Sequence, residues 1–196
     1  NADKDRTKQY QTETKRMSLQ KTFNNECDFL RSLHMTSHVS GFTNFNTPRI
    51  AQLSQRSNQF NLRTTRYTEE DIEAFAKNEN IIDLSFTLED KFGDSGLVAV
   101  VIMKPIDKKT VFVDTWFMSC RVLKRGMENF TLNVMVEKVI ANGYEKIIGE
   151  YIPTAKNKLV ENHYQQLGFQ PLADEKNKYV LNVKTYTPLE CYITNK

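Results

Sequence analysis

The spacing of apolar and polar positions changes character near residue 61. Before it, "TKQYQTETKRMSLQKTF" contains no helix breaker and reads as a polar helix. "NNECDFLRSLHM" then places Phe29, Leu30 and Leu33 on one short apolar face. "SHVSGFTNFNTP", rich in Ser, Asn and Thr, reads as a loop, and Pro48 stands at the head of a second helix, "RIAQLSQRSNQF". From Asn61 the pattern alternates, so "NLRTTRYT" is expected to be a strand. Thr68 caps a helix, "EEDIEAFAKN", with Asp71 as its acidic capping partner. "IIDLSFTL", "GLVAVVIMK" and "TVFVDTWFM" follow as three strands divided by the turns "EDKFGDSG" and "PIDKK". "MENFTLNVMVEKVIAN" is apolar on most faces and reads as a buried helix closed by Gly143. "EKIIGEYI" is a strand, "TAKNKLVENHYQQLG" a helix that stops at Gly168, and "KYVLNVKTY" a final strand. The order β-α-β-β-β-α-β-α-β predicts an α/β (α+β) fold, a mixed sheet with helices on both faces.

Composition narrows the classes of function. A chain of 196 residues, 39% hydrophobic and 26% charged, is long enough for one domain with a real core, and no internal repeat or low-complexity tract interrupts it. The longest apolar run, "LVAVVIM", is too short to cross a bilayer, so a membrane partner is not expected. The net charge is only +3 and the basic residues are dispersed rather than interleaved with aromatics, so neither is nucleic acid. The opening "NADKDRTKQY" reads as part of a longer polypeptide without an export leader. Three widely spaced cysteines, Cys27, Cys120 and Cys191, are then expected to be reduced thiols in a cytoplasmic setting. His34, His38 and His163 lack partners at metal-ligand spacing, and no metal site is expected.

The richest chemistry lies in "DTWFMSCRVLKRGMENF", a strand running through a loop into a helix. Cys120 stands at the strand end beside Arg121, with Lys124 and Arg125 close by. Cationic neighbours and a helix N-terminus favour the thiolate, the nucleophilic form of cysteine. Exchange of one thioester for another is nearly thermoneutral, so Cys120 is a candidate acyl relay; the alternative is a small core residue. Arg121 and Arg125 either grip a phosphate through paired N–H donors or are solvated loop residues. Glu150, at a strand end, is a candidate base or polar anchor, with a loop solubiliser as the alternative, and Asp114, alternating with apolar residues within its strand, is a candidate to face the same cleft and contact substrate. "RIAQLSQRSNQFN" gathers Gln52, Gln55, Asn58 and Gln59 with Arg49 and Arg56. It serves either to bind a hydroxylated acyl group or phosphopantetheine, with Arg56, Asn58 and Asn61 as the contacts, or to brace the next segment by side-chain hydrogen bonds.

The element order resembles that of the GNAT acetyltransferases. "NKLVENHYQQLGF" is similar to that family's segment whose tyrosine acts as general acid toward the coenzyme A sulfur. The resemblance implies this role for Tyr164 and sets Asn157 near the pantetheine arm. The loop after Cys120 resembles the family's R/Q-x-x-G-x-G/A turn, whose backbone N–H groups hold a pyrophosphate at a helix N-terminus. Gly126 matches its first glycine, whereas Leu123 and Glu128 stand where the family has Arg or Gln and Gly or Ala.

A narrower resemblance rests on "RIAQLSQRSNQFNLRTTRY", "EDKFGDSGLV", "FMSCRVLKRGMEN" and "GEYIPTAKN", which look like the C-terminal half of FkbH-like proteins. It implies an upstream haloacid-dehalogenase-type phosphatase domain in the same parent chain. It also implies transfer of a glyceryl unit, derived from 1,3-bisphosphoglycerate, as a thioester to an acyl carrier protein. The acyl-bearing group would be the carrier's phosphopantetheine or coenzyme A. Residues 1–47 would be the helical link and 48–196 the GNAT-like acyltransferase domain. A conventional acetyl-CoA-dependent N-acetyltransferase and a non-catalytic carrier-docking module are the alternatives.

Overall fold

The computed structural model describes residues 2–196. Helices α1 (Ala2–Gln20) and α2 (Glu26–Ser32) lead into two short strands, β1 (Met35–Ser37) and β2 (Val39–Ser40). Helices α3 (Thr47–Arg56) and α4 (Glu69–Lys77) come next, then three antiparallel strands, β3 (Ile82–Asp90), β4 (Gly93–Pro105) and β5 (Thr110–Met118). Helix α5 (Met127–Ala141), β6 (Lys146–Glu150), a four-residue helix α6 (His163–Gln166), β7 (Gln170–Pro171), β8 (Lys178–Asn182) and β9 (Ile193–Asn195) complete the chain. The strands form one mixed sheet in the order β7-β8-β6-β5-β4-β3-β1-β9, with β2 also pairing with β3. The expected α/β sheet with helices on both faces is therefore present.

Strand β4 shows why the sheet has two cores. Successive side chains point to opposite faces. Ala99, Val101 and Met103 join one apolar cluster with α2 and α5, while Val100 and Ile102 join another with Ile50 and Ala51 of α3 and Ile72 of α4. Such a strand, buried on both sides, reads as a continuous apolar run. Thr68 and Asp71 form the expected reciprocal cap on α4, and Gly143, at φ +83°, follows α5 in a conformation open chiefly to glycine.

Six expectations are corrected. The turn "EDKFGDSG" shrinks to residues 91–92, because β3 runs to Asp90 and β4 starts at Gly93, and the loop "SHVSGFTNFNTP" contains β2. The segment "NLRTTRYT" makes no strand; only Asn61 forms a single bridge, opposite Phe117. Asn61 folds the chain locally, its Oδ1 accepting from Thr64 N–H at 2.8 Å and its Nδ2 donating to Ser57 O at 3.1 Å. Residues 158–166 form a short 3-10 turn and α6 rather than one long helix. The last strand stops at Asn182, and the tail beyond it supplies β9. Residue 48 is no structural boundary, because β1 and β2 precede it and hydrogen-bond into the same sheet.

Helix α1 is anchored by charge. Arg16, its one buried residue, donates to both oxygens of Asp90 on β3, at 2.8 and 3.1 Å, and pairs with Glu13 at 2.5 Å. Arg125 donates to the same Asp90 at 2.9 Å, and the N–H groups of Phe92 and Gly93 also bond its Oδ1. Burial alone would raise the Asp90 pKa, but Arg16 and these donors outweigh it and hold the carboxyl below its ordinary value.

Candidate functional site

Strands β5 and β6 run parallel and pair only from Thr110↔Lys146 to Phe112↔Ile148. Beyond Phe112, β5 continues to Met118 without β6 beside it, so the sheet splays into a wedge-shaped gap. The chain fills this gap itself. Leu62 N–H donates to Trp116 O at 3.2 Å, and Met118 N–H donates to Phe60 O at 3.1 Å. On the other side Ile152 N–H donates to Leu62 O at 2.8 Å. Phe60–Leu62 thus acts as a three-residue splice between the end of β5 and the segment after β6, with Asn61 and Leu62 fully buried.

Asn157, fully buried, belongs to this closure. Its Nδ2 donates to Asn61 O at 3.0 Å and Ile152 O at 2.9 Å, and its Oδ1 accepts from Thr154 N–H at 2.8 Å. The amide expected near a pantetheine arm is therefore bonded to the protein's own backbone. Asn58 and Asn61, expected to contact substrate, are braces too: Asn58 accepts from Arg66 and donates to Arg56 O.

Tyr164 lies beneath the gap. Its ring packs under Gly149 of β6, against Phe169 at 4.9 Å and Tyr179 at 5.9 Å between centroids, and beside Trp116 and His163. Its hydroxyl has no hydrogen-bond partner among the described residues, and burial pushes the phenol well above its ordinary range. Burial likewise drives the His163 imidazole down to about 3, leaving it neutral. Tyr164 →Phe is expected to hold stability level or raise it by up to about 1 kcal/mol, because it deletes an unpaired buried hydroxyl. A loss above that size in urea unfolding would mean the hydroxyl has a partner.

Asp114 and Glu150 meet at Arg63, which the sequence did not single out. Arg63 Nε donates to Glu150 Oε1 at 3.0 Å, and its Nη1 donates to Asp114 O at 2.9 Å. Asp114 also accepts from Tyr67 Oη at 2.6 Å and Thr115 Oγ1 at 2.8 Å and pairs with Lys104 at 3.1 Å. Burial raises the Asp114 pKa, but these partners prevail and lower it; burial and the Asp114 contact push Tyr67 up to about 12. Both carboxylates are committed to this node.

The junction after β5 remains open. Cys120 is exposed, at the start of a 3-10 turn (Cys120–Val122), and its thiol donates to Gln59 Oε1 at 3.2 Å. Arg121 is exposed and donates from Nε to Ser119 Oγ at 3.2 Å. Lys124, exposed at φ +63°, and Gly126, at φ +82°, turn the chain into α5. Arg125, expected to hold a phosphate, turns inward to Asp90 instead. Cys120 and Arg121 line one side of a cleft of about 730 Å³ whose other wall is α1, with Arg6, Lys8 and Tyr10. The sequence missed Gln59 as the partner of Cys120; its place in the amide-rich run was the only signal.

No protein-family model matches the chain, and no curated protein matches it. Solved structures do. The ribosomal-protein-S18-alanine N-acetyltransferase of Escherichia coli is 14% identical, with 76% of this chain and 94% of that one covered at a TM-score of 0.53. The GNAT domain of S. lividans PAT is 13% identical, covering 74% and 89% at 0.55. The fold is that of the GNAT acetyltransferases. A third GNAT structure, YhbS of Escherichia coli in complex with CoA, is 12% identical, covering 76% and 82% at 0.50.

The GNAT likeness raises coenzyme A, and the residues here fit it poorly. The β5 edge and the Asn157 amide are both taken by Phe60–Leu62. At the first turn of α5, Glu128 makes no ion pair among the described residues, and burial raises its pKa. Glu128 puts a carboxylic acid, rather than a small residue, in the first turn of the helix whose N-terminus would have to receive a diphosphate. No group of His, Cys, Asp and Glu suited to a metal occurs among the described residues, and no helix there is long and apolar enough to cross a membrane.

Proposed function

We propose that this chain is the acyltransferase-like domain of an FkbH-like protein, passing a glyceryl or similar short acyl unit to an acyl carrier protein through Cys120. The observation that carries this reading is the open setting of Cys120: an exposed thiol, held by Gln59, beside Arg121 and at the rim of a large cleft. A carrier's flexible arm reaches this thiol from solvent without entering the closed gap. In the first step Cys120 gives its thiol proton to solvent and the thiolate attacks the acyl carbon of the activated donor, whose leaving group departs with the bonding pair and takes up a proton from solvent. In the second, the carrier's thiolate attacks the acyl-Cys120 carbonyl and Cys120 leaves as thiolate. One bond forms for each that breaks, and each thioester exchanged is replaced by another. The donor would come from a phosphatase domain upstream in the parent chain.

Intact mass after incubation with an activated glyceryl donor and the upstream domain tests this. The adduct is expected on the wild-type chain and absent from Cys120→Ala, with the circular dichroism of the two unchanged. An undiminished adduct on Cys120→Ala rules out the relay. A second reading, a carrier-docking module without chemistry, is favoured by the filled gap and by the sealed Tyr164 hydroxyl; it predicts carrier binding with no adduct on either protein. Submicromolar acetyl-CoA binding by calorimetry would instead support an acetyl-CoA-dependent N-acetyltransferase.

A further inference from the structure

Most amides of the run from Gln52 to Asn61 have settled uses. Gln55 Nε2 donates to Tyr67 O at 3.0 Å, Asn58 Nδ2 to Arg56 O at 3.3 Å and Asn61 Nδ2 to Ser57 O at 3.1 Å. Gln52 accepts from Arg49 on the exposed side of α3. Gln59 differs from all of them. Among the described residues its one hydrogen bond is to the Cys120 thiol, 61 positions along the chain, and its NH2 group bonds to nothing.

The backbone holds these two side chains together. Met118 N–H donates to Phe60 O at 3.1 Å, which stitches the residue after Gln59 to the strand that ends two residues before Cys120. Phe60 is buried, and Ser119 N–H donates to Val98 O at 2.7 Å. Both main chains are thus fixed, while both side chains are exposed. The terminal torsion of glutamine is broad, so its carboxamide turns at little cost. With the thiol protonated, the amide oxygen accepts from it at 3.2 Å. Once Cys120 is a thiolate, that oxygen faces a negative sulfur, and the amide is more stable with its NH2 group turned toward the site.

We propose that Gln59 is a catalytic residue of the acyl transfer, its Nε2–H donating to the tetrahedral oxyanion that forms when Cys120 is acylated. Cys120, having given its proton to solvent, attacks the acyl carbon, and the C=O π pair moves onto oxygen. The oxyanion then collapses to C=O and expels the leaving group with its bonding pair. The developing O⁻ lies one atom beyond the carbon bonded to Sγ, within reach of an amide whose Oε1 is 3.2 Å from that sulfur. A donor placed where charge develops stabilises the transition state more than the ground state. The cleft that Cys120 lines leaves room for the acyl donor beside the pair. The part Gln59 plays in loading a carrier rests on the relay reading; its effect on acylation of Cys120 does not.

Two reactions of Cys120 on the intact chain test the proposal. p-Nitrophenyl acetate acylates the thiolate through a tetrahedral oxyanion and releases p-nitrophenolate. Iodoacetamide alkylates the same thiolate by direct displacement of iodide, with no oxyanion. Both are followed by intact mass, with Cys120→Ala as the blank for other nucleophiles. The ratio of acylation rate to alkylation rate cancels changes in thiolate fraction, including those set by Arg121 and Lys124. Gln59→Met keeps the length of the side chain, and Gln59→Glu keeps its acceptor oxygens. In both, the ratio is expected to fall about tenfold or more, the direction expected when one oxyanion donor is removed. Melting temperatures are expected to stay level, because Gln59 is exposed. A fall of less than about threefold in either variant overturns the proposal. Parallel loss of both rates at an unchanged ratio also overturns it, and makes Gln59 a positioning residue alone. No acylation of wild-type Cys120 overturns this role and the relay together. Acylation that depends on Gln59, with no adduct from the activated glyceryl donor, would sink the relay and leave the oxyanion role standing.

Discussion

Asp90→Ala is expected to remove about 3–5 kcal/mol of stability, the cost of stranding buried cations whose shared counter-ion is gone. The Asp90 side chain is fully enclosed, and those of Arg16 and Arg125 are nearly so; together with Glu13 the four charges cancel. Without Asp90, Arg16 keeps Glu13, but Arg125 keeps only a long contact to Arg121 O at 3.4 Å. Helix α1 then loses its main polar anchor, so early proteolytic cleavage within residues 2–20 is expected alongside a lower urea midpoint. The pH dependence has a definite sign. The Asp90 pKa is depressed in the folded state, so its contribution is present above the unfolded value, about 4, and is lost as pH falls through the folded one. Wild type and Asp90→Ala are therefore expected to converge in stability toward low pH. A midpoint change worth less than about 1 kcal/mol at neutral pH would show the cluster to be solvated.

The second large effect concerns Gly149. A Cβ placed there would lie 2.3 Å from Cζ of Tyr164 and 2.4 and 2.7 Å from its Cε atoms. The ring cannot withdraw, because Trp116, His163, Phe169 and Tyr179 surround it. Gly149→Ala is expected to destabilise by about 3 kcal/mol, the upper part of the usual range for overpacking. The cause is specific, so Gly149→Ala combined with Tyr164→Leu is expected to be more stable than the sum of the single changes allows. A double-mutant cycle with no coupling would mean that β6 yields instead of the ring. The same contact explains a glycine in the middle of a strand, where its lack of side chain admits a close neighbour.

The central elements were legible because their patterns answer to local rules. "TVFVDTWFM" coincides with β5 from Thr110 to Met118, and "MENFTLNVMVEKVIA" with α5, since continuous burial and a glycine stop are written in neighbouring residues. The GNAT shape followed from their order. "NLRTTRYT" misled for the opposite reason. Its β-branched, alternating residues look strand-like, but Thr64 sits at φ +54° and the partners of Phe60–Leu62 come from β5 and from Ile152, which no local pattern names. Within the candidate site, Cys120 and Arg121 were recognisable from adjacency. Arg125 was not separable from them, since the Asp90 that draws it inward lies 35 residues upstream. Tyr164 resembled a general acid and Asn157 a pantetheine contact, and their burial depends on neighbours that the motif does not contain.

The splice at Phe60–Leu62 also sets a timetable. Asn61 and the Asn157 that holds its carbonyl are 96 residues apart. At a synthesis rate of roughly 5–20 residues per second, the upstream piece waits roughly 5–20 seconds for that partner. Strand β5 can meet Leu62 N–H and Phe60 O part-way through that interval, but the Asn61 carbonyl stays without its partner until the end of it, so a half-closed apolar splice, a natural client for a chaperone, is present on the nascent chain until the C-terminal third emerges.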